Sequence, residues 1–231
     1  MIDKPVHVTD EAAALLHDSD EARIRHILSK PWVHYPKAKQ IIDLVHGLLR
    51  HPRATRMLSI AVYGDSGMGK SMIVGRFKHD DAFFADAAKT QRKFLVVELS
   101  GGPGERRLYA QILTALDAPY NPRAAIVGLE QATIRLLRAL GVQVLLIDEI
   151  HNIIAGSWRE QRIVLNTLRF LSDEAKLSLV CFGITEAREA INGDVQLARR
   201  FEVITLPRWK TNDECSSSPS SVIFLCDNRA F

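Results

Sequence analysis

The hydrophobic residues of this chain follow two kinds of pattern. One is a set of short apolar runs with the length and β-branched content of buried strands, at residues 57–63, 93–99, 143–147 and 177–183. The other is a set of stretches with helical spacing, at residues 71–78, 105–116, 128–140 and 157–173. A short run at residues 204–206 adds a candidate fifth strand. Strands that alternate with helices predict a three-layer α/β fold, with a central parallel sheet covered by helices on both faces.

The two ends of the chain lack this alternation. Helical patterns at residues 21–28 and 37–50 each run into a proline, which cannot continue a helix. Residues 211–231 are rich in serine and show no helical pattern. We therefore expect three segments, namely an N-terminal arm with a helical extension (1–55), an α/β core (56–210) and a disordered tail (211–231).

Composition and charge narrow the range of functions only slightly. The chain has 231 residues, of which 47% are hydrophobic and 25% charged, as in ordinary globular proteins. Its net charge of +3 permits a nucleic-acid partner but does not require one. Three irregularly spaced cysteines are too few for a disulfide framework or a metal site, which favours a cytoplasmic location. No apolar run approaches the roughly 20 residues that a membrane span needs.

One loop carries the strongest chemical signal in the chain. It follows the apolar run at 57–63 and consists of Gly64, Asp65, Ser66, Gly67, Met68, Gly69, Lys70 and Ser71. The spacing of glycine, four residues, glycine, lysine and serine is that of a phosphate-binding loop. Glycines allow backbone angles at which successive N–H groups turn inward around an anion. We therefore predict a nucleoside triphosphate site in which Lys70 meets the β- and γ-phosphates and Ser71 ligates Mg²⁺.

An acidic pair marks a second part of the same predicted site. Asp148 and Glu149 directly follow the apolar run at 143–147. In a parallel sheet, the carboxyl ends of the strands lie at the edge where ligands bind. Asp148 can hold Mg²⁺ there through water, and Glu149 can orient or deprotonate the attacking water. By itself such a pair is equally typical of a strand that runs into a solvated loop, but a phosphate loop upstream favours the site.

Three further residues have both a catalytic and a structural interpretation. Thr185 follows the run at 177–183, where its hydroxyl can contact a γ-phosphate or cap the next helix. Arg199 and Arg200 end a helical segment that is predicted to begin near Asn192. An arginine there can act on the nucleotide of a neighbouring subunit, or it can complement the negative end of a helix. Spacing alone favours the helix end.

Three arginines lie on one side of the amphipathic stretch at 157–173. Arg159, Arg162 and Arg169 fall within about 80° of one another on a helical wheel, and the apolar residues occupy the other side. Such a stripe suits a DNA backbone, but a solvated helix surface explains it as well. The pattern favours the solvated surface and leaves the DNA contact as the alternative.

Taken together, these motifs resemble the AAA+ ATPases of transposition modules, and most closely the TniB family. The resemblance extends from about Ile24 to Lys210. Besides the phosphate loop it includes Trp32-Val33-His34-Tyr35-Pro36, Val144–Asn152 with its Asp-Glu-Ile-His-Asn, Phe182–Ala187, and Gln196–Phe201 leading into Leu206-Pro207-Arg208-Trp209. It implies ATP and Mg²⁺ as cofactors, ATPase activity, ATP-dependent oligomerisation on double-stranded DNA, and recruitment of a DDE-type, TniA-like transposase for target selection.

The resemblance also implies roles for individual residues. It implies that Tyr35 and Pro36 line the adenine pocket, and that Arg200, or Arg199 in its place, reaches the nucleotide of a neighbouring subunit. Proteins of this class follow the core with a small helical lid that carries a second sensor arginine. Residues 211–231 lack that pattern, so the chain resembles a family member truncated before its lid.

From that resemblance we expect weak ATP binding and impaired hydrolysis. Two alternatives stay open. One is a non-hydrolysing, ATP-dependent adaptor between DNA and transposase. The other is a relative of helicase loaders and replication initiators with the same core.

Overall fold

The structure, a computed structural model, describes residues 18–28, 35–54, 56–84, 92–193 and 195–208. The described residues from Ile41 to Pro207 form one unit, and those before and after it belong to a second unit. The predicted tail at 211–231 lies outside the described residues, as does the aromatic segment Trp32-Val33-His34. The account that follows therefore concerns mainly the unit that contains the phosphate loop.

Strands and helices alternate along the described chain. The strands are β1 (Ser59–Tyr63), β2 (Phe94–Glu98), β3 (Val144–Asp148), β4 (Ser178–Gly183) and β5 (Phe201–Thr205). The helices are α1 (Asp20–Leu28), α2 (Pro36–Leu48), α3 (Lys70–Phe84), α4 (Glu105–Ala115), α5 (Ile126–Ala139), α6 (Trp158–Ala175), α7 (Ala187–Asn192) and α8 (Val195–Ala198). A 3-10 helix covers Ile150–Ala155. No helix in this part of the chain is both long and apolar enough to cross a lipid bilayer.

The hydrophobic pattern predicted every one of these strands to within a few residues. Two local features differ from the prediction. The 3-10 helix after β3 was not predicted, because a single turn carries too little periodicity to show in the sequence. The helix predicted from near Asn192 to Arg200 is shorter than expected, since α7 ends at Asn192 and α8 covers only Val195–Ala198.

The strands form one parallel sheet in the order β2-β3-β4-β1-β5. Ala61 of β1 lies opposite Cys181 of β4 on one side and opposite Val203 of β5 on the other. The predicted central parallel sheet is therefore confirmed. Because the strands are parallel, the phosphate loop after β1 and the acidic pair after β3 lie at the same edge of the sheet, with β4 between them.

Burial follows position in the sheet. All residues of β1, β3 and β4 are buried, as expected for central strands covered by helices on both faces. The outer strand β5 exposes three of its five residues. Among the largest fully buried side chains are Tyr63, Phe77, Phe94, Tyr109 and Phe182. Full burial of a side chain of this size stabilises the fold by about 1.5–3 kcal/mol, so these rings are major contributors to the core.

A capping box determines where α6 begins. Glu160 N–H donates to Ser157 Oγ at 3.4 Å, and Ser157 N–H donates to Glu160 Oε2 at 2.8 Å. Both bonds satisfy N–H groups that the first turn of a helix leaves without a carbonyl. The hydrogen bonds from Ser157 also lower the pKa of Glu160. The apolar face of α6 is buried, which fixes the opposite face as the one that carries the arginines.

Candidate nucleotide site

The loop between β1 and α3 requires glycine at three of its positions. Gly67 and Gly69 have φ angles of 77° and 86°, in the left-handed region that other residues avoid. A Cβ atom at position 64 would lie 2.8 Å from the Cβ of Leu206, closer than side chains pack. Gly64 N–H donates to the Gly183 carbonyl at 3.1 Å, which ties the start of the loop to the end of β4.

The other residues of the loop differ in their exposure. Asp65 is partly buried, Met68 is buried, and Ser66 is exposed. Helix α3 begins at Lys70. The N–H groups of its first turn have no carbonyl upstream within the helix, so they point toward the loop, where they can bind an anion.

Lys70 is buried and bound to its own loop. Its Nζ donates to the Gly64 carbonyl at 2.6 Å and to the Asp65 carbonyl at 2.7 Å. Burial lowers the pKa of Lys70 from its usual 10.5, while the carboxylates of Glu149, Asp148 and Asp65 act in the opposite direction. The ammonium is therefore within electrostatic range of all three carboxylates. The fold thus brings together the two motifs that lie far apart in the sequence.

Asp148 and Glu149 occupy a constrained turn at the end of β3. Asp148 is buried, and its Oδ1 accepts a hydrogen bond from Glu149 N–H at 2.9 Å. Glu149 itself is left-handed, with φ 57° and ψ 36°. That conformation costs about 1–3 kcal/mol in a residue other than glycine, and such residues cluster at functional sites. The backbone strain at Glu149 supports a functional interpretation of the pair.

Two residues of the Asp-Glu-Ile-His-Asn motif, His151 and Asn152, lie beside this turn, and the sequence assigned neither of them a role. His151 Nδ1 lies 3.1 Å from Glu149 Oε2, but it is buried and makes no hydrogen bond to a described residue. Asn152 Nδ2 donates to the Leu99 carbonyl at 2.6 Å, and Leu99 N–H donates to the Asp148 carbonyl at 3.0 Å. A histidine two residues beyond the glutamate, within the same turn, was the only signal in the sequence.

The donor set fits a nucleoside triphosphate with Mg²⁺. The glycine loop and the start of α3 offer N–H groups to phosphate oxygens, and Lys70 offers a cation. Ser71 is exposed in the first turn of α3, and Asp148 lies at the end of β3. A hydroxyl and a carboxylate are the hard oxygen ligands that Mg²⁺ prefers.

Thr185 lies in the exposed turn that follows β4. Glu186 is the N-cap residue of α7, and no side chain makes a capping hydrogen bond there. The interpretation of Thr185 as a helix cap is therefore wrong. Contact between its hydroxyl and a γ-phosphate stays a prediction.

Arg200 is engaged within its own chain. Its Nη1 lies 2.6 Å from Asp173 Oδ1, and its Nη2 lies 3.0 Å from Asp173 Oδ2, so that the pair is bidentate. Only 11% of the Arg200 side chain is exposed. Arg199, by contrast, is exposed. In this conformation Arg200 joins β5 to α6, and Asp173 is a partner that sequence reasoning did not identify.

Two arginines of the predicted basic stripe are also bound within the chain. Arg162 Nη1 donates to the Gly193 carbonyl at 2.9 Å, and its guanidinium lies 4.8 Å from the Trp158 ring centroid. Arg169 Nη1 donates to Gln196 Oε1 at 2.8 Å. Both contacts are exposed, so they are compatible with the solvated helix surface that the pattern favours. Arg159 is exposed and stays available for a phosphate.

Tyr35 and Pro36 belong to the second unit of the described chain. Pro36 is the first residue of α2, where its fixed φ angle suits the start of a helix. Burial raises the pKa of the Tyr35 hydroxyl to about 12. Their place at the adenine stays a prediction.

A family model described as Bacterial TniB protein matches residues 23–211 of this chain. The match includes the phosphate loop, the acidic pair, Thr185 and both candidate arginines. No curated protein sequence matches the chain.

Solved structures of ORC and Cdc6 proteins share the fold. The ORC2 protein of Aeropyrum pernix, in ADPNP–ADP complexes, is 14% identical with a TM-score of 0.57, covering 83% of this chain and 53% of its own. Cdc6p of Pyrobaculum aerophilum is 15% identical with a TM-score of 0.58, and the match covers 82% of this chain and 50% of Cdc6p. Drosophila ORC bound to DNA is 19% identical with a TM-score of 0.57, and the match covers 100% of this chain and 55% of that one. The chain spans about half the length of these proteins, and at such identities the likeness shows the AAA+ fold alone.

Proposed function

This chain belongs to the bacterial TniB family, and on that premise we propose that it binds ATP and acts with DNA in transposition. One observation carries the proposal. The phosphate loop with its buried Lys70 and the acidic pair of Asp148 and Glu149 lie at the same carboxyl edge of a parallel sheet, with β4 between them. A lysine, a glycine loop and paired carboxylates in this arrangement form a site for a nucleoside triphosphate and its metal ion.

Each residue of the site has a distinct role in the proposal. Lys70 leaves the carbonyls of Gly64 and Asp65 and pairs with phosphate oxygens, for which the N–H groups of the loop are also donors. Ser71 and Asp148 would hold Mg²⁺, which neutralises phosphate charge when it is bound. Glu149, at the end of β3, positions water and accepts its proton. Thr185 would contact the γ-phosphate.

In the proposal, efficient hydrolysis also needs an arginine that stabilises the charge on the transferred phosphate, in addition to the described residues of this site. In the proposal, Arg200 or Arg199 of a neighbouring subunit supplies it, and such an arginine can contribute about 10³–10⁵ in rate. Arg200 must first leave Asp173 to do so. We therefore expect slow turnover by the isolated chain and faster turnover in an assembly on DNA.

The bidentate pair favours a second candidate function. If Arg200 stays bound to Asp173, the chain would bind ATP without hydrolysing it and would serve as a nucleotide-dependent adaptor. The replication-initiator alternative gains no support, because the likeness to ORC and Cdc6 shows only the fold.

The proposed partners follow from the family. They are double-stranded DNA, a DDE-type, TniA-like transposase and further copies of the chain, assembled with ATP. The solved structure of Drosophila ORC bound to DNA is consistent with DNA association for this fold. The cysteine usage of the chain supports a cytoplasmic location, which is part of the proposal.

The nucleotide site is tested by binding of a fluorescent ATP analogue. Lys70→Ala should abolish binding, because it removes the cation that meets the phosphates. The matched control is Lys78→Ala, which removes an exposed lysine two turns further along α3. Equal affinity in the wild type and Lys70→Ala would refute the site.

Turnover separates the two candidate functions. ATP hydrolysis with and without double-stranded DNA is measured for the wild type and for Glu149→Gln, which keeps the shape of the side chain but loses the base. An ATPase predicts DNA-stimulated turnover that Glu149→Gln slows, whereas an adaptor predicts background rates in both. Co-purification with a TniA-like transposase, rather than with a replicative helicase, tests the place in transposition.

A further inference from the structure

A groove of about 790 Å³ runs along β2 at one edge of the sheet. One wall is the strand itself, where Val96 is partly exposed and Glu98 is exposed, while Phe94 and Val97 are buried. The other wall is one face of α4, formed by residues at helical spacing: Arg107, Ala110, Gln111 and Thr114. The opposite face of α4 is buried in the core, so the groove wall is the face that the core does not use.

The backbone of β2 turns some of its hydrogen-bonding groups toward this groove. Val144 N–H donates to the Lys93 carbonyl at 3.1 Å, and Leu99 N–H donates to the Asp148 carbonyl at 3.0 Å. Backbone N–H and C=O groups alternate in direction along a strand. Those of the odd-numbered residues therefore point toward β3, and those of Val96 and Glu98 point away from the sheet. No backbone group of another described residue hydrogen-bonds to the outward groups of these two. An open strand edge of this kind is a template for another strand.

The charge of the groove indicates what kind of strand fits it. Lys78 and Arg107 line it together with Arg92, whose guanidinium is paired with Asp117 at 3.0 Å, and Glu98 is the acidic residue of the lining. Arg107 and Gln111 both donate to the Ser100 carbonyl at 3.2 Å, which fixes the carboxyl end of the groove. Five residues of strand span about 17 Å, which matches a short extended peptide.

We propose that this groove binds an extended, acidic segment of a partner protein, which adds to the edge of β2 as a further strand. Main-chain hydrogen bonds to Val96 and Glu98 supply affinity, and the apolar and basic side chains of the groove select alternating apolar and acidic residues. Strands β3 and β4 separate the groove from β1 and its phosphate loop. Because β2 pairs with β3, which ends in Asp148, peptide binding is measured without nucleotide.

The test uses the full chain and two labelled peptides, Glu-Val-Glu-Val-Glu-Val and Lys-Val-Lys-Val-Lys-Val, in fluorescence anisotropy without nucleotide. The acidic peptide should bind at least tenfold more tightly than the basic one. Val96→Pro should weaken binding of the acidic peptide about tenfold, because it removes an outward N–H donor. Proline is tolerated on an edge strand where the N–H faces outward. Ala110→Glu, which narrows the groove and repels acidic residues, should weaken binding as well.

The other sheet edge offers a matched control. Ser59 N–H donates to the Arg200 carbonyl at 3.0 Å, and Leu206 N–H donates to the Tyr63 carbonyl at 2.7 Å. The backbone groups of the even-numbered residues of β5 therefore point toward β1, and Val203 N–H points away from the sheet. Val203→Pro makes the same substitution in the same setting and should leave peptide binding unchanged.

Three results would overturn the proposal. The first is equal binding of the two peptides, or no binding of the acidic one. The second is unchanged affinity in Val96→Pro and Ala110→Glu when both remain folded by circular dichroism. The third is sedimentation showing that wild type forms a dimer that Val96→Pro dissociates, because the groove would then hold a second copy of this chain.

Discussion

The ion pair between Arg200 and Asp173 offers the sharpest test of how this molecule is held together. Arg200→Ala removes a guanidinium that makes two short hydrogen bonds, at 2.6 and 3.0 Å, to both carboxylate oxygens of Asp173. It leaves Asp173 without this partner and detaches the start of β5 from α6. Arg199→Ala is the matched control, because Arg199 is the adjacent residue of the same type and is exposed.

The expected cost follows from the burial of the two side chains. Exposed ion pairs contribute about 0–1 kcal/mol, and breaking a buried pair costs about 3–5 kcal/mol. Arg200 is 11% exposed and Asp173 35%, so this pair lies between the two classes. We expect Arg200→Ala to lower the free energy of unfolding by about 2 kcal/mol, or roughly 4–8 °C in Tm for a chain of this size. Arg199→Ala should change it by less than about 0.5 kcal/mol.

Thermal and urea unfolding, followed by circular dichroism, measure both variants. Asp173→Asn should cost a similar amount, and the double variant should cost less than the two single changes together, because they remove the same interaction. If Arg200→Ala melts within about 1 °C of the wild type, the pair does not stabilise the fold, and the reasoning from its geometry is wrong.

Mixing variants then asks whether Arg200 also acts between subunits. Arg200→Ala keeps an intact nucleotide site, whereas Glu149→Gln keeps the arginine. If Arg200 reaches a neighbouring nucleotide, a mixture of the two inactive variants should recover part of the ATP turnover on DNA. No recovery, alongside an active wild type, would assign Arg200 to the fold alone.

Three other predictions concern Lys70, the cap of α6 and Arg159. Because burial lowers the pKa of Lys70, affinity for a fluorescent ATP analogue should fall as the pH rises, with a midpoint below 10.5. Lys70→Arg should keep its affinity to higher pH. Identical pH profiles of the wild type and Lys70→Arg would contradict this prediction. Ser157→Ala should cost about 1 kcal/mol, or roughly 2–4 °C in Tm. Since the pKa of Glu160 is lowered in the folded state, its share of the capping box is present above pH 4.5 and is lost as the pH falls through the lowered pKa. The Tm difference from wild type should therefore narrow below pH 4.5, and a constant difference would exclude the charge of Glu160 from the effect. Arg159→Ala should weaken DNA binding on any sequence and reduce by about one the slope of log affinity against log salt concentration. Arg162→Ala should mainly lower Tm. An unchanged slope in Arg159→Ala would show that Arg159 does not contact DNA.

The sequence by itself determined the class of fold and the two motifs of the candidate site. Each rests on residues that lie next to one another in the chain, such as the glycines before Lys70 or the apolar run before Asp148. Local backbone preferences and hydrophobic spacing decide such features, so they can be read without knowing the fold. The match to the TniB family over residues 23–211 confirms the resemblance that these motifs carry.

Only the tertiary structure decided which distant residues meet. It pairs Arg200 with Asp173 and binds Arg162 and Arg169 to the segment around α7 and α8, and among the described strands it places β2 at one edge of the sheet beside α4. Helical and strand periods show which face of an element is apolar, but they do not show which element packs beside it. An arginine at a helix end therefore looks the same in the sequence whether it serves a neighbouring subunit or, as here, a carboxylate 27 positions upstream. The strand order and the packing of α6 settle that choice, because they bring the two charges within hydrogen-bonding distance.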